Sequence, residues 1–193
     1  YSQYAMLRSQ IRNYYKPDKQ NQVVWRLIAG FGMPYGNSST IPYVKQYYVG
    51  GPYNIRAFVS KSIGPGTYAP PADMSNIYVD QTGDITLETN LEYRFGIYKS
   101  FKGALFIDAG NIWLVNEDPQ RPGSEFRMKT FYHQLAVGAG YGFRFDFNFI
   151  LLRIDLAVPL RKPYLPEGEE WVIKDIDFGS EWRKDNFLWN IAR

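Results

Sequence analysis

The 193-residue sequence contains no cysteine and a single histidine, His133. Without cysteine there is neither a disulfide framework nor a thiolate metal site within this stretch. One histidine also leaves the common zinc sites and Ser–His catalytic sets without their partners. No nucleophile–base pair can be assembled from the other side chains. We therefore expect a protein that is not an enzyme, with no catalytic residue, no metal site and no cofactor.

A strong charge of one sign and long apolar runs are lacking as well. The formal net charge is +3, from 22 basic and 19 acidic side chains, and this balance gives no reason to expect a nucleic-acid partner. No apolar run approaches the roughly 18–20 residues of a transmembrane helix. The sequence starts without an initiator methionine or a charged-then-apolar leader, so we expect a fragment of a longer chain. Aromatic residues, in contrast, make up 18% of the chain, which suits rings at a membrane interface.

The dominant pattern is alternation with a period of two. From Leu135 to Phe147, apolar residues at odd positions alternate with small or polar residues, as on the two faces of a β-strand. Similar alternation predicts strands at six further segments: Ala5–Tyr15, Val23–Met33, Ile85–Ile97, Lys102–Trp113, Ile150–Val158 and Phe187–Ile191.

The length of these strands favours a membrane barrel over a soluble β-sandwich. Most are about as long as the roughly 9–11 residues that a tilted strand needs to cross a bilayer, whereas soluble strands usually have about 5–6 residues. Short connections (Lys16–Gln22, Tyr98–Phe101, Phe147–Phe149) alternate with long ones (Pro34–Gly83, Asn116–Thr130, Pro159–Lys184). Short turns on one side and long loops on the other are typical of outer-membrane barrels.

The connection Pro34–Gly83 is too long for an ordinary loop, and it carries many apolar residues. We expect it to dock inside the barrel. Its segment YYVGGPYNIRAFVSKSIGPG resembles the signature loop of Omp85-type outer-membrane proteins, the family of BamA and TamA. The matching residues are Gly50, Gly51, Ile55, Arg56, Ala57, Phe58, Gly64, Pro65 and Gly66. Ala57 stands where the family more often has glycine.

The resemblance continues through NLEYRF (Asn90–Phe95), GALFIDAGNIW (Gly103–Trp113) and AVGAGYGFRFDF (Ala136–Phe147). It implies that residues 1–193 are the C-terminal portion of an Omp85-type (bacterial surface antigen) domain with its signature loop at 34–83. The fold would be all-β, a transmembrane antiparallel barrel with the long loop folded into the lumen. The IRAF and DAGNIW segments most resemble those of the TamA-like lipoproteins of Bacteroidetes.

The resemblance also implies a site. Arg56 would hold the loop against acidic residues of the inner wall, and by position these are Glu92 and Asp108. Glu88 lies on the same polar face as Glu92 and is a further candidate. The last strand would form the lateral seam of the barrel, with Phe187, Trp189 and Ile191 on its lipid face.

The implied function is the assembly or insertion of β-barrel proteins at the Gram-negative outer membrane, or translocation across it. A secretion channel for a dedicated substrate and a barrel that anchors a passenger domain are the alternatives. The implied partners are outer-membrane lipids or lipopolysaccharide, unfolded outer-membrane client proteins, and a periplasmic or inner-membrane assembly protein bound through an absent N-terminal region.

Three other features receive structural interpretations. Gly138, Gly140 and Gly142 superficially resemble a phosphate-binding loop, but no helical pattern follows them, and we expect them to make room for the docked loop. His133 is interpreted as a residue at the edge of a loop. The carboxylates of Asp73, Asp80 and Asp84 do not have the spacing of a known calcium site.

Overall fold

The computed structural model describes residues 2–70, 80–147, 149–175 and 179–192. These residues form one antiparallel sheet whose seven strands follow the chain order. The strands are β1 (Tyr4–Tyr15), β2 (Gln22–Pro34), β3 (Ile85–Tyr98), β4 (Phe101–Trp113), β5 (Ala136–Asp146), β6 (Leu151–Arg161) and β7 (Leu188–Ala192). The all-β fold and the strands expected from the alternation are thereby confirmed.

Short helices lie in the connections. The described residues include three 3-10 helices, at Tyr43–Lys45, Phe131–Gln134 and Val172–Asp175, and one α-helix, α1 (Ser180–Asn186). Within the described ranges, no helix has the length and apolar character that a membrane span requires.

Two expectations at the end of the chain need correction. Pro159, expected in a loop, lies inside β6 and pairs with Gly138 next to a register shift. A proline is tolerated in a sheet at such an irregularity. Phe187, expected to begin the last strand, is instead the residue that caps α1, and β7 starts one residue later. The connection before β7 therefore contains a helix that the alternation did not indicate.

The two faces of the sheet differ sharply in burial. On β4, Leu105 and Ile107 are 52% and 43% exposed, whereas Ala104, Phe106 and Asp108 are at most 5% exposed. Exposed large apolar side chains recur on β1, β2, β3 and β7. We call the apolar exposed side the outer face and the other side the inner face. An apolar outer face and a polar inner face are what a membrane barrel presents to lipid and to its lumen.

Aromatic rings gather on the outer face near the short turn between β3 and β4. Phe101 stacks on Phe145 and Phe143, with ring centroids 4.8 and 5.7 Å apart. Tyr93 and Phe95 continue the row on β3. Such a band matches the aromatic girdle at one membrane interface of a barrel.

The long connection between β2 and β3 covers the inner face and contacts all seven strands. From β1 to β7, the contacts are Tyr47 with Leu7, Tyr53 with Arg26, Asn54 with Asn90, Arg56 with Asp108, Ala57 with Gly138, Pro52 with Arg153 and Arg56 with Asn190. Its apolar residues Val49, Ile55, Phe58 and Ile63 form the buried core together with Phe106 and Ile112 of β4. The sheet is therefore wrapped around this loop.

Candidate functional site

Glycines give the loop its shape. Gly50 and Gly51 have φ of 90° and 89°, a region that residues with a Cβ rarely adopt. A Cβ on Gly50 would lie 2.3 Å from the carbonyl oxygen of Val59. The N–H of Gly51 donates to the carbonyl of Phe58 at 2.7 Å and closes a turn around the segment 52–57. This turn presents Arg56 to the inner wall.

The second glycine motif fixes the returning part of the loop. Gly64 and Gly66 also have positive φ, 76° and 59°. A Cβ on Gly64 would lie 2.5 Å from Oδ1 of Asn111, so the backbone of the loop runs directly against β4. The N–H of Gly66 donates to the carbonyl of Ile112 at 2.7 Å.

Ala57 occupies the position where the family more often has glycine. It is not among the residues with positive φ, so no left-handed backbone is required there. A Cβ built on Gly138 would lie 2.2 Å from the Cβ of Ala57. The methyl group of Ala57 therefore fills the space that the missing side chain of Gly138 leaves on β5, and at this glycine the structure shows the room for the loop.

Arg56 is the centre of a buried charge network. Its Nε and Nη2 donate to the two carboxylate oxygens of Asp108, both at 2.8 Å, and Nη1 donates to Glu92 at 2.5 Å. The backbone N–H of Arg56 also donates to Asp108, at 3.1 Å. The guanidinium carbon lies 3.5 Å from the centroid of the Phe106 ring. With 4% of its surface exposed, Arg56 is one of the most buried charged residues of the structure.

Two further buried residues, Asp155 and Arg144, extend the network. Arg144 donates to Asp155 at 2.5 Å and to Glu92 at 3.1 Å, and Asp155 lies 3.7 Å from Nη1 of Arg56. Both residues lie on the polar faces of their strands, but the sequence pattern did not identify either as a site residue. Glu88, the remaining acidic candidate, is buried, but it makes no ion pair with any described residue.

Two of the three residues expected on the lipid face of the last strand lie on its outer face, and the third lies before the strand. Trp189 and Ile191 are 66% and 71% exposed on the outer face of β7. Phe187 precedes the strand, and its ring lies edge-on to Trp189 at 5.7 Å. Between the two exposed residues, Asn190 points inward and donates to the carbonyl oxygen of Arg56 at 2.8 Å.

Two of the three residues considered for calcium, Asp80 and Asp84, have separate hydrogen-bond partners. Asp73 lies outside the described residues. Asp80 accepts hydrogen bonds from Lys61 at 2.6 Å and from Tyr43 at 2.5 Å, and Asp84 accepts from Gln46 at 2.9 Å. The bond from Lys61 lowers the pKa of Asp80, and the same contact raises the pKa of Lys61. Across the described ranges, no group of side chains is arranged to hold a metal ion.

His133 and the glycines of β5 lie within regular secondary structure. His133 belongs to a short 3-10 helix between β4 and β5, where its ring packs on that of Tyr132 at 4.1 Å. Gly138, Gly140 and Gly142 lie within strand β5, which is followed by strand β6 and not by a helix. This arrangement does not match a phosphate-binding loop, which needs a strand-to-helix turn.

An antiparallel sheet with an apolar outer face, wrapped around a loop on its inner face, defines a portion of an outer-membrane β-barrel. The model of the Omp85 superfamily domain matches residues 1–179, and the chain belongs to this superfamily. No curated protein matches the chain in sequence.

Among solved structures, the fold is similar to that of BamA from Haemophilus ducreyi lacking POTRA domains 1-3. The TM-score is 0.66 and the sequence identity 17%, and the match covers 98% of this chain and 35% of that chain. At this identity the likeness establishes the fold alone. The chain spans about a third of the length of the BamA chain it matches.

Proposed function

We propose that residues 1–193 are the C-terminal portion of an Omp85-type barrel in a Gram-negative outer membrane, and that the barrel inserts or translocates proteins without enzymatic chemistry. The observation that carries this proposal is the docked loop. A motif of the superfamily at 50–66 places Arg56 in a bidentate pair with Asp108 and in contact with Glu92. A loop that is held inside the barrel by a buried charge network supports a role for the lumen beyond anchoring the chain in the membrane.

Arg56, Glu92 and Asp108 are proposed to act as a tether that keeps the loop at the inner wall. Two carboxylates and an aromatic ring surround a guanidinium that is almost completely buried. A buried cation is stable in such a place only when it is paired and hydrogen-bonded. Withdrawal of the loop would leave both carboxylates without this partner, so the docked position is favoured.

Strand β7 is the proposed edge for client proteins. It has five residues and pairs with β6 from Arg153↔Ala192 to Ala157↔Leu188, and it is an edge of the sheet in the described part of the chain. An exposed strand edge offers unpaired backbone N–H and C=O groups to an incoming strand. A client strand would add to this edge by β-augmentation, with Trp189 and Ile191 facing lipid.

The same proposal includes the clients, the lipids and the partner protein of the barrel. The clients would be unfolded outer-membrane proteins, and the outer face would contact outer-membrane lipids or lipopolysaccharide. A periplasmic or inner-membrane assembly protein would bind through a region N-terminal to this chain. We also propose that the chain belongs to the TamA-like lipoproteins of Bacteroidetes, because the IRAF segment of the loop and the DAGNIW segment of β4 resemble theirs.

Depletion of the full-length protein in its host, followed by quantification of the outer-membrane proteome, tests the function. We expect a broad loss of other β-barrel proteins and unfolded precursors in the periplasm. An intact barrel population with one exported protein missing would contradict the assembly role and would instead indicate a dedicated secretion channel.

A further inference from the structure

A cavity of about 240 Å³ lies on the inner face beside the tip of the loop, and its charge is unusual. Five arginines from four strands and the loop line it: Arg12, Arg26, Arg56, Arg94 and Arg153. Among the described residues that line the cavity, Glu92 is the one carboxylate. The cavity therefore concentrates positive charge from several directions around a small volume.

The carboxylates near the cavity are already shared. Glu92 accepts from Arg56, Arg94 and Arg144 at 2.5, 2.6 and 3.1 Å. Asp155 lies within 4 Å of three arginine side chains as well, those of Arg144, Arg153 and Arg56. Asp108 and the buried Glu88 bring the carboxylates around the cavity and the tether to four. Six described arginines lie there, so two positive charges remain without a counter-charge: the arginines are Arg12, Arg26, Arg56, Arg94, Arg144 and Arg153.

Arg12 and Arg26 are the clearest surplus. They are directly opposite each other in the register of β1 and β2, so their side chains share one face. Like charges in this position repel each other. Elsewhere in the sheet, Arg144 is directly opposite Arg153, but there Asp155 lies within 3.1 Å of both side chains. No described carboxylate lies within ion-pair distance of Arg12 or Arg26.

The hydrogen-bond partners of this pair are neutral. Arg26 donates to Oδ1 of Asn90 at 2.8 Å and to the carbonyl oxygen of Tyr53 at 2.5 Å. Arg12 donates to the hydroxyl of Tyr14 at 3.3 Å. Neutral acceptors orient the two guanidinium groups but do not compensate their charge, so an anion in the cavity would complete the arrangement.

We propose that this cavity binds the terminal phosphate group of a small ligand or lipid, held between Arg12 and Arg26 on one side and Arg94 and Arg153 on the other. Guanidinium groups bind phosphate oxygens bidentately. A phosphate dianion matches a surplus of two cations, and its tetrahedral oxygens can accept from arginines on different strands. Residues 52–54 of the loop also line the cavity, so the bound anion would contact the docked loop as well.

The test is isothermal titration calorimetry on the full-length protein purified in detergent, at low ionic strength. Inorganic pyrophosphate is one probe, and dihexanoyl phosphatidic acid, below its micelle concentration, is the other. Binding of either probe is expected, and the probe that binds identifies the source as a free phosphate or a lipid headgroup. Acetate, a monoanion, should bind at least about tenfold more weakly.

Matched variants locate the site. Arg12→Gln and Arg26→Gln should each weaken binding about tenfold or more. Arg8→Gln is the control, because Arg8 lies on the same strand and face as Arg12 but does not line the cavity. Both cavity variants remove a like-charge repulsion and are expected to keep the folded-barrel mobility in electrophoresis.

The salt dependence of probe binding to the unmutated protein is a further test that needs no variant. Binding should weaken as sodium chloride is raised from about 20 to 200 mM, because the contact is between charges. The proposal is overturned if neither probe binds, if acetate binds as tightly as both, or if Arg8→Gln reduces binding as much as Arg12→Gln and Arg26→Gln.

Discussion

At the scale of single residues, Arg56 does what no other basic side chain would do in its place. The planar guanidinium makes two parallel bonds to Asp108 while its remaining nitrogen reaches Glu92. Its flat face also packs on the ring of Phe106. A lysine ammonium is a compact charge on a flexible stem, and it cannot combine a bidentate pair with ring stacking.

Replacement of Arg56 should therefore destabilise the protein strongly. Arg56→Gln leaves Asp108 and Glu92 buried without this partner, and we expect a loss of about 3–5 kcal/mol in the free energy of unfolding. Arg56→Lys should recover only part of it. Urea titration of the barrel in detergent measures both values.

Arg127→Gln provides the control, because Arg127 is exposed and pairs with Glu125 at the surface. Its effect should stay within about 0.5 kcal/mol. An equal loss in Arg56→Gln and Arg127→Gln would show that the buried network is not what stabilises the loop.

Gly138 gives a second residue-scale prediction. In Gly138→Ala the new methyl group would meet the Cβ of Ala57, whereas the nearest atom to a Cβ on Gly96 is 3.6 Å away. We expect Gly138→Ala to make the loop more accessible to limited proteolysis between residues 50 and 66, and Gly96→Ala to have no such effect. Equal cleavage of the two variants would mean that the loop does not pack against β5 in this way.

At the scale of the elements, the strands were predictable and the loop contacts only in part. Alternation places Ala104, Phe106 and Asp108 on one face of β4, and the structure has them there. The same alternation put Arg144 and Asp155 on polar faces, but it could not show which strands come close to Arg56. Helix α1 has seven residues, too few for a recognisable period, and so it could not be predicted.

The outer face of the strands leads to a prediction about lipid contact. Ile107 is the middle residue of β4 and is 43% exposed on the apolar face. Ile107→Arg should cost about 2–4 kcal/mol of stability in lipid vesicles, because a charge at the bilayer midplane is costly.

The same substitution at the end of a strand should have a smaller effect. Tyr98 lies at the end of β3 beside the short turn, and Tyr98→Arg should cost at most about 1 kcal/mol, since the penalty falls toward the membrane interface. Folding equilibria in vesicles measure both variants. A cost at Ile107 no larger than at Tyr98 would argue against lipid around the middle of β4.

At the scale of the whole molecule, the loop and the sheet depend on each other. The segment 47–57 contacts every strand from β1 to β7, and the buried core is shared between the loop and strands β4, β5 and β6. The membership in the superfamily could be inferred from the glycines and Arg56, but the contacts of Tyr47 and Asn190 with distant elements could not, since they depend on how the sheet curls around the loop.

The central claim, that Arg56 holds the loop against the inner wall, is tested most directly by hydrogen exchange of the full-length protein in lipid. The amides of Gly51, Arg56 and Lys61 donate to Phe58, Asp108 and Val49. Peptides covering residues 50–66 should therefore exchange about as slowly as those of β3. In Arg56→Gln their exchange should accelerate at least about tenfold while β4 stays protected. Loop peptides that exchange as fast as the connection 116–130 in the unmutated protein, or a variant with unchanged exchange, would contradict the claim.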